Sequence, residues 1–448
     1  MPLKKFAVEN FHKINKFSKT IKVDSDKSIS IRSFLISAIS LDISQINNAL
    51  ESEDVISTIK CLKKLNVKIM KKNPGEYLVY GKGLGSLNCK KKTVLNCENS
   101  GTLSRLLIGI LSTTPNIDVI IKGDHSLNKR NMKKLIELMN SFGAEFSPIR
   151  KVNFPLRLIS SEIPLGIKYK AGVSAQLKSA AILAGLNSYG QTFIEEKIKS
   201  RDHTENMLRA NKKSISLKKG NTNMIKIHGK NQLQRINITI PGDPSSAAFF
   251  CALAILKTNC KLKIKNVQLN KTRIGFYEIL KKSGAKIKFT NIKLKNGERI
   301  GDISVKSSKL KPLRASKLFY PKTADEYPIL FVIASLTKGS SVFEGISDLA
   351  NKESNRILEM KKILNKIGIK FLYSKGKVKI YGAVKKDYKN LKITVPKLGD
   401  HRICMSTLIL SLLTGVKVRI NNFETVNTSA PSFLKIIKKI GGKFEIKK

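Results

Sequence analysis

Asp26-Lys27-Ser28-Ile29-Ser30-Ile31-Arg32 sets a point-charge donor, Lys27, and a planar donor fork, Arg32, on either side of two hydroxyls. That is the equipment for gripping a phosphate or a carboxylate. In a basic chain such a pair more often marks a solvated helix face, so it gains meaning only from company. Asn99-Ser100-Gly101-Thr102-Leu103-Ser104-Arg105 opens an apolar helix and offers backbone N–H groups and a positive dipole end to an anion, or is simply an N-cap. Gly123-Asp124-His125-Ser126-Leu127-Asn128-Lys129-Arg130 reads as strand end, turn and helix start, with Arg130 set to reach a ligand. Ser174-Ala175-Gln176-Leu177-Lys178-Ser179-Ala180 begins a helix of small residues that admits a ligand or a close neighbouring helix. Ser200-Arg201-Asp202-His203-Thr204-Glu205 brings a further arginine, or a charged capping box.

The second half of the chain adds acids. Thr323-Ala324-Asp325-Glu326-Tyr327-Pro328 precedes a long apolar helix, so Asp325 is a helix-start acid or a catalytic base. Lys352-Glu353-Ser354-Asn355-Arg356 is expected to begin a helix with Lys352 and Arg356 at i, i+4 on one face. Like charges so placed repel unless an anion joins them. Asp400-His401-Arg402 introduces another apolar helix. Lys27, Arg32, Arg130, Arg201, Lys352, Arg356 and Arg402 are thus expected at or near helix starts, with Asp325 and Glu353 as the acids among them. Cations ordinarily favour helix C-termini, so the repetition argues for anionic ligands. The expectation is one small, doubly anionic site.

What positions these segments is a repeated unit. An amphipathic helix, a Gly or Asn, and a short alternating strand recur at 59–70, 135–146, 277–289, 360–371 and 434–444, with a weaker copy at 207–217. The landmarks are Asn66, Gly143, Gly284, Gly368 and Gly441, and Lys212 in the weak copy. A left-handed residue ends each helix before the β-rich tail enters a sheet. Six α/β modules imply three per domain, with a boundary near Ile240, before Pro241-Gly242-Asp243-Pro244.

Composition excludes more than it proposes. Lys and Arg number 84 against 32 Asp and Glu, a net charge of +52 over 448 residues. A nucleic-acid binder is the functional reading of such charge. Here lysines decorate every segment, and there is no Trp to build a stacking platform, so specific nucleic-acid binding is not expected. The six cysteines lack CxxC spacing and the histidines lack ligand spacing, so reduced thiols and no metal are expected. Residues 1–18 are basic without an apolar core, and no apolar run approaches a membrane span. A cytoplasmic location follows as an expectation.

Taken in order, DKSISIR, NSGT-x-x-R, GDHSLNKR, SAQLKSA, SRDHTE, GDPSSAAFF, DEYP, NKESNR and DHRICMS resemble the motifs of the EPSP synthase family, the 3-phosphoshikimate 1-carboxyvinyltransferases, from residue 22 to 442. The resemblance implies an α/β fold, a two-domain inside-out α/β barrel with three βαβαββ units in each domain. It places residues 24–240 in one domain, on the shikimate 3-phosphate side, and 1–23 plus 241–448 in the other. It implies that the domains close on substrate and that the protein is a monomer without a cofactor. Carried over by position, Lys27 touches both substrates, and Ser28 and Arg32 hold shikimate 3-phosphate. Gly101, Arg130, Arg356 and Arg402 surround phosphoenolpyruvate. Ser174, Ala175, Gln176 and Arg201 complete the shikimate phosphate pocket, with Gln176 also near phosphoenolpyruvate. Asp325 and Lys352 bind ring hydroxyls, and Glu353 with Lys27 serves the enolpyruvyl carbon as acid and base. Gly101 is the small residue associated with room for the inhibitor glyphosate.

Departures from the family pattern are Ile31 for the usual His, Asn131 for Pro, Asn355 for Asp, and Ala430-Pro431 for Phe-Pro. The alternatives are the sister transferase acting on UDP-N-acetylglucosamine, a basic nucleic-acid-binding protein, and an inactive copy. The sister family carries a cysteine in a Gly/Pro-rich loop, and none of the six has that neighbourhood.

Overall fold

Pro244–Leu256, Tyr327–Ser335 and His401–Thr414 are helices without a polar face, buried nearly throughout. A helix apolar on every side belongs inside a protein, and these three pack on one another. Lys27–Ala38, Gly101–Leu111 and Ala175–Leu186 are also buried over most of their length, although Lys27–Ala38 carries serines and Arg32 among its buried residues. Gly101–Leu111 packs against each of the other two. A Cβ on Gly109 would stand 2.7 Å from the Ala180 carbonyl oxygen, so only glycine permits that approach between helices.

In this computed structural model, residues 5–218, 220, 222–383, 388 and 390–447 are described. Residues 1–4, part of the expected basic N-terminal stretch, lie outside them. The chain divides into two compact units. One comprises Met1–Asp24, Pro241–Leu294 and Arg299–Lys448, the other Ser25–Ile240 and Lys295–Glu298. Each has its own apolar core.

The unit containing Ser25–Ile240 holds three four-stranded sheets of one design. In the second, Thr93–Asn96 lies parallel to Asp118–Lys122, which pairs antiparallel with Leu156–Ile159, and Glu145–Ser147 forms the far edge. Lys168–Ala171, Gln191–Glu196, Asn223–His228 and Ile215–Lys218 repeat the pattern. The first sheet, built on Ile43–Asn47, takes its parallel edge from the last strand of the unit, Asn237–Thr239. The other unit has three sheets of the same order. Two are completed by early strands: Ser18–Ile21 lies parallel to Lys261–Gln268, and Ala7–Asn10 runs between Lys417–Ile420 and Glu445–Lys447.

Six βαβαββ copies are therefore present, with apolar helices inside and sheets around them in each unit. Asn66, Gly143, Gly284, Gly368 and Gly441 take the positive φ expected of a helix terminator. Lys212 does not stand among the positive-φ residues; its helix, His203–Leu208, is short and leads through turns to Ile215–Lys218. All six cysteines are free, and only Cys89 is not buried. No helix among the described residues is long and apolar enough to cross a membrane.

Candidate active site

In the unit containing Ser25–Ile240, Lys27, Ser28, Gly101, Ser174, Ala175 and Gln176 stand at the starts of its three inner helices. Asp26 caps the first, accepting from Ile29 N–H at 2.8 Å, and fixes Lys27 as the first helical residue. Ser100 and Ser174 cap the others in the same way, so Gly101 and Ala175 are first residues too. Ser28 lies one residue into the first helix. Lys27 Nζ is 2.8 Å from Asp54 Oδ2, with the lysine side chain 19% exposed.

Arg32 is buried within the same helix. Its Nε donates to Thr204 Oγ at 2.9 Å and its Nη2 to Ser179 Oγ at 3.2 Å, while Thr204 donates to Ser179 at 2.8 Å. Gln176 joins two helix starts: its amide donates to Thr102 Oγ at 3.0 Å and its carbonyl accepts from Arg105 Nη1 at 2.8 Å. Arg130 donates to Asn99 Oδ1 at 2.9 Å. A Cβ on Gly101 would lie 2.7 Å from Arg105 Nη1 and 2.9 Å from Arg130 Nη1. Two guanidinium groups thus converge on the bare backbone of Gly101, beside the N-terminus of a helix. Arg201 lies half-buried just before the helix His203–Leu208.

In the other unit the centre is Arg356, 1% exposed. Its Nε donates to Asp400 Oδ2 at 2.9 Å, its Nη2 lies 2.6 Å from Glu353 Oε2, and its Nη1 is 3.6 Å from Asp325 Oδ1. Burial works against this cation, but Asp400 foremost, then Glu353 and Asp325, outweigh it and hold the guanidinium above its usual range. Asp400 also caps the helix His401–Thr414 through Arg402 N–H and accepts from Ser354 Oγ. Asn355 caps the helix Arg356–Lys366, so the departure from Asp leaves the capping intact.

Arg402 is 4% exposed, with its guanidinium carbon 5.9 Å from the Phe249 ring centroid. Its buried Nε and Nη1 have no hydrogen-bond partner among the described residues. A buried donor left unmatched is costly, and an anion is the natural occupant.

Two expectations need correction. Lys352 and Arg356 do not share a helix face: Lys352 is extended backbone after the turn Ser347–Asn351, and the helix begins at Arg356. Arg130 lies between the helix His125–Asn128 and Met132, the cap of the helix Lys133–Asn140, near a helix start as expected. An absent anion alone does not compensate the cations. Asp54 serves Lys27, Asp348 serves Lys352 at 2.7 Å, and Asp400 serves Arg356. Asp54 lies far in sequence from Lys27 and Asp400 looks like a helix cap, so neither announces its partner, whereas Asp348 is i, i+4 to Lys352 and that spacing was the available sign. Arg105 stood inside a recognised motif, and its i, i+4 spacing from Gly101 was the available sign.

The chain matches the family model described as EPSP synthase (3-phosphoshikimate 1-carboxyvinyltransferase) over residues 11–437. It is 35% identical to the 3-phosphoshikimate 1-carboxyvinyltransferase of Zymomonas mobilis over 96% of this chain and 95% of that one. It is 38% identical to the protein of the same name from Petrotoga mobilis, over 94% and 96%. The solved EPSP synthase from Acinetobacter baumannii superposes with a TM-score of 0.85 at 33% identity, covering 99% of this chain and 100% of that one. The enolpyruvyl transferase NikO from Streptomyces tendae shares the fold, with a TM-score of 0.74 at 12% identity over 99% of each chain.

Proposed function

The chain belongs to the EPSP synthase family, and on that premise we propose that it transfers the enolpyruvyl group of phosphoenolpyruvate to the 5-hydroxyl of shikimate 3-phosphate, releasing phosphate. The observation that carries the reading is Arg402, a buried guanidinium with two unmatched donors on an aromatic face. Such a group is built to receive an anion rather than to hold the fold together.

The reaction is addition followed by elimination. The 5-hydroxyl oxygen attacks C2 of phosphoenolpyruvate while C3 takes a proton, giving a tetrahedral intermediate. Loss of the C3 proton then expels phosphate and forms the enol ether. Asp325 is assigned the proton of the 5-hydroxyl, and Glu353 with Lys27 the proton at C3. Lys27, Arg130, Arg356 and Arg402 are assigned the phosphate and carboxylate of phosphoenolpyruvate, with the backbone of Gly101 and the amide of Gln176. Fixed cations of this kind stabilise charge as it develops without reorganising. Ser28, Arg32, Ser174, Ala175, Gln176 and Arg201 are assigned shikimate 3-phosphate, and Lys352 its ring hydroxyls. We also assign the protein to the cytoplasm as a monomer, which light scattering of the purified chain tests for mass.

The deciding experiment is phosphate release from phosphoenolpyruvate with shikimate 3-phosphate, beside UDP-N-acetylglucosamine as acceptor. Release with the first alone supports the proposal. Release with the second alone reassigns the acceptor, and release with neither from folded protein ends the reading.

A further inference from the structure

Lys178 is fully buried in the helix Ala175–Leu186, whose first turn carries Ala175 and Gln176. Its ammonium lies 2.8 Å from Glu196 Oε1 and 2.7 Å from Glu205 Oε1. Glu196 ends the strand Gln191–Glu196, and the same Oε1 accepts from Ser200 N–H at 2.7 Å and from Ser200 Oγ at 2.6 Å. Glu205 lies in the helix His203–Leu208. The irregular segment 197–202, which carries Arg201, is thus fastened at both ends to one buried ammonium. Ser179, the next residue, reaches Arg32 directly and through Thr204.

A core needing only filling would place an apolar residue here, since burying an ion triad costs more in desolvation than apolar packing of the same volume. Burial raises the Glu205 carboxyl in spite of Lys178, and one of its oxygens, Oε2, has no hydrogen-bond partner among the described residues. Burial alone would lower Lys178, but Glu205 and Glu196 outweigh it and raise it. The ammonium is therefore held charged, with a fixed direction for each partner. That is a means of setting geometry.

We propose that Lys178 is the positioning residue for the acceptor's phosphate: it fixes Arg201 through Glu196 and Glu205, while Ser179 beside it fixes Arg32. This rests on the assignment of Arg32 and Arg201 to shikimate 3-phosphate above. Lys178 itself touches no substrate.

The test is a steady-state comparison of wild type with the triple variant Lys178→Met/Glu196→Gln/Glu205→Gln, which removes the three buried charges together and keeps an acceptor for Ser200. The expected result is a KM for shikimate 3-phosphate raised about tenfold or more, with KM for phosphoenolpyruvate and kcat within about threefold. A merely structural role moves both KM values together, or lowers only the melting temperature, and either result overturns the proposal. Should the triple variant not fold, Glu205→Met alone carries the test, since methionine leaves no oxygen to accept from Lys178. It keeps Lys178 and Glu196 and releases one end of the segment, so KM for shikimate 3-phosphate should rise severalfold, and an unchanged value overturns the proposal. Wild-type protein that fails to use shikimate 3-phosphate overturns the functional reading instead, so the two failures are distinguishable.

Discussion

Arg356 donates from Nε to Asp400 Oδ2 at 2.9 Å, with the two side chains 1% and 0% exposed. Asp400 does most to raise the guanidinium against burial, caps the helix His401–Thr414, and accepts from Ser354. Asp400→Ala should therefore act twice. Removing one partner of a buried pair costs about 3–5 kcal/mol, which urea unfolding will read. In the same variant kcat/KM should fall by about a hundredfold or more, because Arg356 loses its orientation. Asp400→Asn keeps a cap acceptor and should lose activity with a smaller loss of stability.

Lys27 is largely buried and paired with Asp54. Lys27→Met should lower kcat by about a thousandfold, as expected for a lost proton-transfer and charge-stabilising group. Asp54→Asn frees the ammonium instead of deleting it. Its expected effect is a smaller fall in kcat, about tenfold. Single-turnover rates with both substrates at saturation check the order of the two variants.

Gly101→Ala places a methyl group against Arg105 Nη1 and Arg130 Nη1. Both neighbours are ends of flexible side chains, so the fold should tolerate the change. The two guanidinium groups shift instead, and KM for phosphoenolpyruvate should rise about tenfold while KM for shikimate 3-phosphate stays near wild type. Inhibition by glyphosate should weaken in parallel. Initial rates and inhibition curves on the same preparation decide it.

Asp24 has its carboxyl pushed up by burial, against the opposing hydrogen bond from Ser432 N–H at 3.0 Å. A carboxyl whose folded pKa lies above its unfolded value of 3.8 costs stability once both states are ionised. That cost is absent below the unfolded value and grows as pH rises through the folded one. Asp24→Asn keeps the acceptor for Ser432 and removes the charge. It should gain stability at neutral pH and none at pH 3, measured as the difference between the two denaturation midpoints across pH.

Much of this was legible in the chain because it is local. The left-handed residues Gly143, Gly284, Gly368 and Gly441 mark the repeat because only a few residue types end a helix that way. Ser100, Ser174 and Asp400 announce helix starts because a short side chain must cap them. What was not legible is long-range. The pairing of Lys27 with Asp54, of Lys178 with Glu196 and Glu205, and of Arg32 with Thr204 is made by sheets and helices meeting, and no spacing encodes it. The i, i+4 reading of Lys352 and Arg356 failed because Asn355 caps the helix and cuts Lys352 out of it.

The sheets differ in when the ribosome delivers their last strand. In the unit containing Ser25–Ile240 all three sheets are closed once Asn237–Thr239 has emerged. In the other, Ala7–Asn10 is made first yet pairs with Lys417–Ile420 and Glu445–Lys447, which are made last. During synthesis Ala7–Asn10 is therefore a strand without a sheet until residues 417–447 have been made. The opening segment's alternation of short strands with Lys13, Lys16 and Lys19 suits such a wait, since charge on an exposed edge discourages pairing with other chains. A circular permutant that begins at Ser25 and carries residues 1–24 after Lys448 would shorten that wait.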